Sequence, residues 1–501
     1  MKKSQDSFIS LAKGFQSVKL KSHNTASAIF PIMISKKNDL IIVFFNYWLN
    51  KNKINPNHIK FFARLYDQDG RMAAHFEKNI SNFHNQISLK DMLKSINVEN
   101  FIGTVNVEIV SLEKLGFPFP AILGVYRSNN LYSSVHSAGR LKNSSEVQNI
   151  FYTQETNWIC KFNKGISPFF HYFVGSNKPL KKYITVRLIN KANKVKKIKK
   201  INIDMLNPFS SRLFFIDEIF RKTRFDKDDF VSVEVEHNSI FPRMVVGNYH
   251  KKINFYEVTH SFPKIFKKDY CPTNNHTKYQ SKMTGCKNKD LDLSLEVFPT
   301  NCDGEFKADF YEKKFDEKQQ SLLKQNVKFS QNNLKNKLLF KFPDDTELQT
   351  IKMAGNKIPS RLNTSFIYKV KNSKNKFTAD IADGARSAVI PKKIHHWGHG
   401  YLGENFNTIL TIVNDNHDDQ KPIKHEGILK IYADKINTSK KIKINSSSST
   451  IVDFNEFKEI KKLKNSRKFF SWVLKLKKPG CECFWISYRK KDGSIFGDHS
   501  F

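Results

Sequence analysis

Three histidines lie within five residues of one another in the segment that runs from Lys393 to Tyr401: His395, His396 and His399. Imidazole nitrogens are ligands for zinc, copper and nickel, and the glycines of this segment would let the backbone bend around an ion. The spacing matches no standard zinc signature, and His395 and His396 point to opposite faces if the segment is a strand, so a distant fourth ligand is needed. A divalent transition metal is the one cofactor that the sequence suggests.

Two aromatic residues of the same segment support other interpretations. Trp397 and Tyr401 offer aromatic faces of the kind that contact sugars, and the segment lies at a predicted domain junction, where ligand pockets often form. A structural linker packed by Trp397 explains the same residues. The metal site, the ligand contact and the linker all stay open on sequence grounds.

A tyrosine followed by a histidine 10 or 11 residues later recurs three times along the chain. The pairs are Tyr126 with His136, Tyr249 with His260, and Tyr488 with His499. Short apolar segments with turn residues between them predict a β-hairpin at each place, with the tyrosine on one strand and the histidine at the end of the other. A hydrogen bond between the two side chains would fix a sheet edge, a repeated ligand subsite would give multivalent binding, and catalysis is the third interpretation.

The spacing of these pairs predicts a tandem repeat. Tyr249 follows Tyr126 by about 120 residues and Tyr488 follows Tyr249 by about twice that distance, which predicts a fourth copy midway. Tyr368 stands there, in a copy that has Asp380 where the others have histidine. The third copy is therefore expected to keep the hairpin and to lack the histidine.

The elements around each tyrosine indicate the fold. Alternating apolar and polar residues predict six or seven short strands in each copy, with turns every 8 to 12 residues and a short helical turn between the halves. We expect an all-β chain of four tandem antiparallel β-sandwich repeats of about 100–120 residues. The expected limits are an N-terminal segment at 1–34, repeats at 35–140, 155–265, 285–385 (degenerate) and 395–501.

The chain carries 84 Lys and Arg against 47 Asp and Glu, a net charge of +37. The excess is lysine in a sequence also rich in Asn, Ile and Phe, a composition typical of an A/T-rich genome, whereas binding-driven basic surfaces favour Arg. Runs such as 191–200 and 458–468 leave a non-specific nucleic-acid binder as the third functional hypothesis. Motifs for nucleotide cofactors, P-loops and serine or zinc hydrolases are missing from the sequence.

The sequence also bears on location. No apolar run approaches the roughly 20 residues that cross a bilayer, and no signal-peptide pattern follows Met1, so we expect a cytoplasmic protein whose cysteines are thiols. The main functional hypothesis is a non-catalytic binding or assembly protein for a carbohydrate or surface-polysaccharide component. Its candidate ligand-binding residues are Tyr126, His136, Tyr249, His260, Trp397, Tyr401, Tyr488 and His499. The alternative is a metal-dependent enzyme centred on His395, His396 and His399.

Overall fold

The structure is a computed structural model of the whole chain. It describes residues 24–46, 49, 55, 58–111, 121–138, 152–174, 178–179, 181–192, 194–237, 244–260, 281–298, 304–314, 320–329, 338–358, 363–384, 386–387, 393–414, 423–433, 436–446, 448–463 and 466–501.

The described elements fall into four consecutive groups, which we call blocks 1 to 4. Block 1 contains β1 (Asn24–Ile34), β2 (Asn38–Phe45), β3 (Ile59–Asp67), β4 (Met72–Asn79), β5 (His84–Ser88), α1 (Leu89–Lys94), β6 (Phe101–Ser111), β7 (Ala121–Ser128) and β8 (Leu131–Ala138). Block 2 contains β9 (Tyr152–Trp158), β10 (Ile166–Phe173), β11 (Tyr183–Ile189), β12 (Val195–Asn202), β13 (Ser211–Phe215), α2 (Ile216–Ile219), β14 (Phe230–His237), β15 (Val245–His250), a 3₁₀ turn (Lys251–Ile253) and β16 (Phe255–His260).

The last two blocks follow the same pattern. Block 3 contains β17 (Ser281–Cys286), β18 (Leu291–Phe298), β19 (Gly304–Lys314), β20 (Gln320–Phe329), β21 (Leu338–Lys341), β22 (Thr346–Lys357), β23 (Asn363–Val370), β24 (Ala379–Gly384) and β25 (Arg386–Ser387). Block 4 contains β26 (His395–Leu402), β27 (Asn407–Asn414), β28 (His425–Ala433), β29 (Ile436–Ile444), β30 (Ser448–Asp453), a 3₁₀ turn (Phe454–Glu456), α3 (Lys458–Lys461), β31 (Lys468–Leu476), β32 (Glu482–Tyr488) and β33 (Ile495–His499).

Each block forms two antiparallel sheets with one strand order. In block 1 the orders are β1-β6-β3-β4 and β5-β2-β7-β8, and blocks 2, 3 and 4 repeat both orders with their own strands. Block 3 adds the short β25 beside β17. Four successive pairs of sheets therefore share one topology.

The two sheets of a block pack face to face; strands such as β28 alternate buried and exposed residues, whereas β2 and β7 are buried almost throughout. In β28, Gly427, Leu429 and Ile431 are buried while the residues between them are exposed. In block 1 a single core joins Phe30 and Phe61 of one sheet to Leu40 of the other. Burial of these apolar surfaces stabilises the two-layer arrangement.

The all-β prediction is confirmed, and short helices follow the fifth strand in blocks 1, 2 and 4 as expected. Two details differ from it. Each block has eight or nine strands, and β1, which the sequence analysis left in the segment 1–34, pairs along its whole length with β6 of block 1. The repeat limits, and the descent of the blocks from one module, stay predictions.

One edge strand from each block, β8, β16, β24 or β33, lies at the centre of the molecule. β8 contacts β16, β16 contacts β24, β24 contacts β33, and β33 contacts β8. The contacts form a closed cycle, so the blocks make a ring and not an extended rod. No helix in the described part of the chain is long and apolar enough to cross a membrane.

Candidate functional site

The four repeated tyrosines lie on equivalent strands but do not face the same way. Tyr126 and Tyr368 lie within the cores of their own blocks, where each hydroxyl donates to a backbone carbonyl of the opposite sheet, Pro31 O at 2.8 Å and Cys286 O at 3.0 Å respectively. Burial raises the pKa of both phenols well above the ordinary value. These two tyrosines fix one sheet of a block to the other.

Tyr249 and Tyr488 face outward from their blocks. Tyr249 packs against the core of block 1, and Tyr488 lies in the core of block 3. Their hydroxyls donate to the side chains of Asn254 at 2.9 Å and Asp290 at 2.8 Å. The motif predicts that the four tyrosine side chains point the same way in their blocks, and this prediction is wrong. A shift of one residue along a strand is enough to move every side chain to the other face of the sheet.

The predicted tyrosine–histidine hydrogen bonds do not form, because the hairpin registers separate the two residues. Tyr126 stands opposite Ser133, Tyr249 opposite Tyr256 and Tyr488 opposite Ile495. The hydroxyls of Tyr126, Tyr249 and Tyr488 instead donate hydrogen bonds to Pro31, Asn254 and Asp290 respectively.

The registers also correct the assignment of Asp380. His260 and His499 lie opposite residues four positions before their tyrosines, Val245 and Phe484. Asp380 lies opposite Ile367, only one position before Tyr368. Asp380 is therefore not the counterpart of the histidines.

The three histidines of the repeated motif nevertheless lie close together. The ring centroid of His136 lies 4.4 Å from that of His260 and 4.8 Å from that of His499, both in edge-to-face contact. The Nδ1 atom of His136 is 2.8 Å from Oδ2 of Asp498. We call His136, His260, Asp498 and His499 the central cluster; its members come from blocks 1, 2 and 4 and lie on the central edge strands.

The central cluster is largely shielded from water. His136, His260 and Asp498 are buried, and His499 is partly buried. The ring of Phe501 lies 4.9 Å from His136 and 5.1 Å from His499. Electrostatic interactions within the cluster are therefore stronger than they would be at the surface.

Hydrogen bonds fix the tautomers of two of these imidazoles. Nδ1 of His499 lies 3.0 Å from the carbonyl oxygen of Ser500, which accepts only, so Nδ1 carries the proton. Nδ1 of His136 donates to the Asp498 carboxylate in the same way. In the neutral ring the lone pair then lies on Nε2, the arrangement typical of imidazoles that bind metals.

Donor atoms of His136, Asp498 and His499 all lie within 4.8 Å of one another. In the described part of the chain, these three side chains form the group that could hold a metal ion. Asp498 was missed by the sequence analysis, although its place directly before His499 was a usable signal.

The histidines of β26 do not lie where the metal hypothesis requires them to lie. His396 points into block 4, where its Nδ1 lies 2.9 Å from Oγ of Ser500, while Nδ1 of His399 lies 3.1 Å from Oγ of Ser471. Ser471 also contacts Nδ1 of His84 in block 1, at 2.8 Å. His395, His396 and His399 do not meet as a ligand group within the residues that the structure describes.

The glycines of β26 have a packing role and not the bending role that the sequence suggested. A Cβ on Gly398 would lie 2.7 Å from Trp472, and one on Gly400 would lie 2.2 Å from Phe470. Aromatic rings of the block 4 core occupy the space above both residues. Gly398 and Gly400 are thus explained by the core of block 4.

Trp397 and Tyr401 are buried between blocks 1 and 4. Trp397 packs against Phe45 and Phe501, and the hydroxyl of Tyr401 lies 2.6 Å from that of Tyr132 in block 1. Burial raises the pKa of Tyr401, and the adjacent Tyr132 adds to this effect. Both rings are therefore part of the buried interface between blocks 1 and 4.

A polar junction joins blocks 2 and 3. Glu257 of β16 accepts hydrogen bonds from Lys161 Nζ at 2.6 Å and from the Thr378 backbone N–H at 2.6 Å. Burial alone would raise the pKa of Glu257, but the Lys161 ammonium and His250 lower it to about 2. Burial raises the pKa of nearby Asp380 to about 7, and the charges of Glu296 and Glu257 add to the increase.

Comparison with known proteins does not assign a function to this arrangement. No protein-family model matches the chain, and no curated protein matches it either. The central cluster is therefore interpreted from its own geometry.

Proposed function

We propose that the protein is a non-catalytic assembly scaffold in which four β-sandwich blocks are closed into a ring. The observation that carries this proposal is the convergence of the repeated histidines. His136 and Asp498 belong to the first and last blocks, are 362 positions apart in sequence, and are joined by a buried hydrogen bond. The repeated motif thus makes contacts between blocks.

The junction of blocks 1 and 4 contains further contacts of the same kind. The Tyr132 and Tyr401 hydroxyls meet there, and Ser471 links His84 to His399. Blocks 1 and 4 are not neighbours in the sequence, so no linker passes directly from one to the other. Side-chain contacts must therefore hold this junction closed. A buried charge-assisted bond such as that of His136 with Asp498 suits this role because breaking it leaves a buried carboxylate without its partner.

The proposal differs from the carbohydrate hypothesis in its ligand. Sugar contacts need accessible aromatic faces, whereas Tyr126, Trp397, Tyr401 and Tyr488 are buried. Tyr249 packs against block 1. We therefore do not assign these tyrosines and this tryptophan to a saccharide.

A cytoplasmic location remains part of the proposal. Cys286, Cys481 and Cys483 are buried thiols that form no disulfide within the described chain, which fits a reducing compartment. Burial raises the pKa of Cys286 and Cys481 to about 12, so neither is a reactive thiolate.

The proposal is tested by opening the junction of blocks 1 and 4. Substituting His136→Gln and Asp498→Asn, singly and together, should speed amide hydrogen exchange in β8 and β33 while exchange in the block cores stays slow. The experiment is done with excess metal chelator, so that no bound metal ion contributes. The exchange rates then report on the hydrogen bond between His136 and Asp498 alone. The double-mutant cycle should give a coupling of about 1–3 kcal/mol.

The matched control is His171→Gln, a buried histidine of block 2 outside this junction. It should leave exchange in β8 and β33 unchanged. Small-angle X-ray scattering of the unmodified chain provides an independent measurement, since a compact chain of this length has a radius of gyration of about 23 Å. Scattering from an extended rod, or unchanged exchange in the double variant, would contradict the proposal.

A further inference from the structure

We infer that the central cluster binds one divalent first-row transition metal ion, with His136, Asp498 and His499 as ligands. His260, whose ring centroid lies 4.4 Å from that of His136, completes the set after rotation toward the ion. The inference rests on the closed ring proposed above, because the ligands come from blocks 1, 2 and 4. It assigns a ligand to the place where those blocks meet.

The donor types define the class of ion. Three imidazoles and one carboxylate form a set that suits Zn²⁺, Co²⁺, Ni²⁺ or Cu²⁺, whereas Ca²⁺ and Mg²⁺ prefer oxygen ligands throughout. Nε2 of His499 is 3.9 Å from Oδ1 of Asp498, the oxygen that is not bonded to His136. The second carboxylate oxygen thus faces the imidazole nitrogen that carries the lone pair.

The distances suit an ion after small side-chain rotations. Donors around a tetrahedral zinc ion lie about 3.4 Å apart, as follows from bonds of about 2.0–2.1 Å. One nitrogen of each imidazole and one oxygen of Asp498 lie within 4.8 Å of one another, where either ring nitrogen can be the near atom. An ion therefore needs these side chains to close by about 1.4 Å, with rotation of any ring whose Nδ1 is the near atom.

Charge gives a second argument for an ion. Imidazole rings at centroid distances of 4.4 and 4.8 Å repel one another if all are protonated, and the chain as a whole carries +37. Neutral imidazoles can instead coordinate a metal ion through a ring nitrogen.

The nature of the site follows from its burial. The ligands belong to separate blocks, and Phe501 packs against two of the imidazoles. A closed site with four protein ligands is typical of structural zinc, whereas catalytic zinc keeps one position open for water. The ion would hold blocks 1, 2 and 4 together.

The test uses the full chain, treated with chelator and then titrated with Zn²⁺ in a calorimeter. We expect one equivalent to bind, and His499→Gln and Asp498→Asn to weaken the affinity about 100-fold. His171→Gln in block 2 and His425→Gln in block 4, which change buried histidines outside the cluster and outside the junction of blocks 1 and 4, are the matched controls and should bind as the unmodified chain does. Equal affinity in all four variants would overturn the inference.

A spectroscopic measurement keeps the test valid if a variant does not fold. One equivalent of Co²⁺ added to the unmodified chain should give the intense visible bands of a four-coordinate site, and one equivalent of Zn²⁺ should abolish them. Only the weak spectrum of hydrated Co²⁺ would overturn the inference. The exchange experiment with chelator separates the two proposals, since the ring can stay closed by hydrogen bonds where no ion binds.

Discussion

Two carboxylates at the junction of blocks 2 and 3 show how the surroundings of a residue set its charge. Glu257 keeps its charge because Lys161 and His250 are beside it, and its pKa falls to about 2 despite burial. Asp380 is equally buried, and burial together with the charges of Glu296 and Glu257 outweighs the hydrogen bond from Ser365 and the charge of Lys161, so its pKa rises to about 7. The junction therefore responds to pH near neutrality through Asp380.

The sign of this response follows from linkage. Since the pKa of Asp380 is higher in the folded chain than the ordinary aspartate value of 3.8, the folded state holds the proton more tightly. Relative to Asp380→Asn, the unmodified chain should lose about 2 kcal/mol of unfolding free energy between about pH 5 and 7 and change little above about pH 8. Urea denaturation at a series of pH values measures the difference.

Asp290 provides the control for this titration. Its pKa is lowered: burial opposes the shift, while hydrogen bonds from Lys490 and Tyr488 produce it. Its contribution is lost only at acid pH, so Asp290→Asn should run parallel to the unmodified chain from pH 5 to 7. A parallel course for Asp380→Asn as well would show that Asp380 is ionised throughout this range.

At the scale of elements, the tyrosine-bearing hairpins show what the sequence could and could not predict. Alternation along the chain predicted the strands, and the Tyr126, Tyr249, Tyr368 and Tyr488 spacing led to four topologically equivalent hairpins. Side-chain direction was not predictable, because a one-residue shift in a hairpin reverses the face without changing the pattern. The partners of His136 and His84 lie in another block, at separations that no local pattern encodes.

The edge strands explain part of the lysine excess. β12 and β29 lie at the outer edges of their sheets, and no strand in the described part of the chain pairs with their outer sides. They carry exposed Lys197, Lys199, Lys441 and Lys443. Lysines at sheet edges prevent pairing with another molecule, so charge at these positions needs no bound polyanion.

The glycines of β26 give a prediction at the same scale. Gly400→Ala should lower the unfolding free energy by about 2–3 kcal/mol, because its Cβ would overlap Phe470. Thermal denaturation followed by circular dichroism measures this loss. Phe470→Leu in the Gly400→Ala background should restore part of it, whereas Ser439→Ala on the exposed face of β29 should change little. An unchanged melting temperature in Gly400→Ala would contradict the packing described for this strand.

At the scale of the whole molecule, the cores of the blocks are continuous with those of their neighbours. Leu123 and Val125 of block 1 lie in the core of block 4, and Phe484 of block 4 lies in the core of block 3. Phe169 of block 2 lies in the core of block 1. In blocks 1, 2 and 4 the sheet that contains β8, β16 or β33 is therefore buried on both faces, and we expect the ring to unfold as a unit.

A matched pair of substitutions in β7 tests this arrangement. Ile122 faces the core of block 1 and the adjacent Leu123 faces block 4, and both are 0% exposed. Ile122→Ala and Leu123→Ala should each cost about 2–5 kcal/mol in urea denaturation. In a freely hinged string of sandwiches Leu123 would face water, so a negligible cost for Leu123→Ala alone would rule out the ring.

The cycle of central edge strands has a consequence for how such a molecule can change in evolution. A solenoid lengthens when one copy is duplicated, because each added copy stacks on the previous one. Here β8 already contacts both β16 and β33, so a fifth sandwich would have to open the circle before it found a neighbour. The geometry thus fixes the number of blocks in the cycle, and change has to proceed by substitution within the existing blocks.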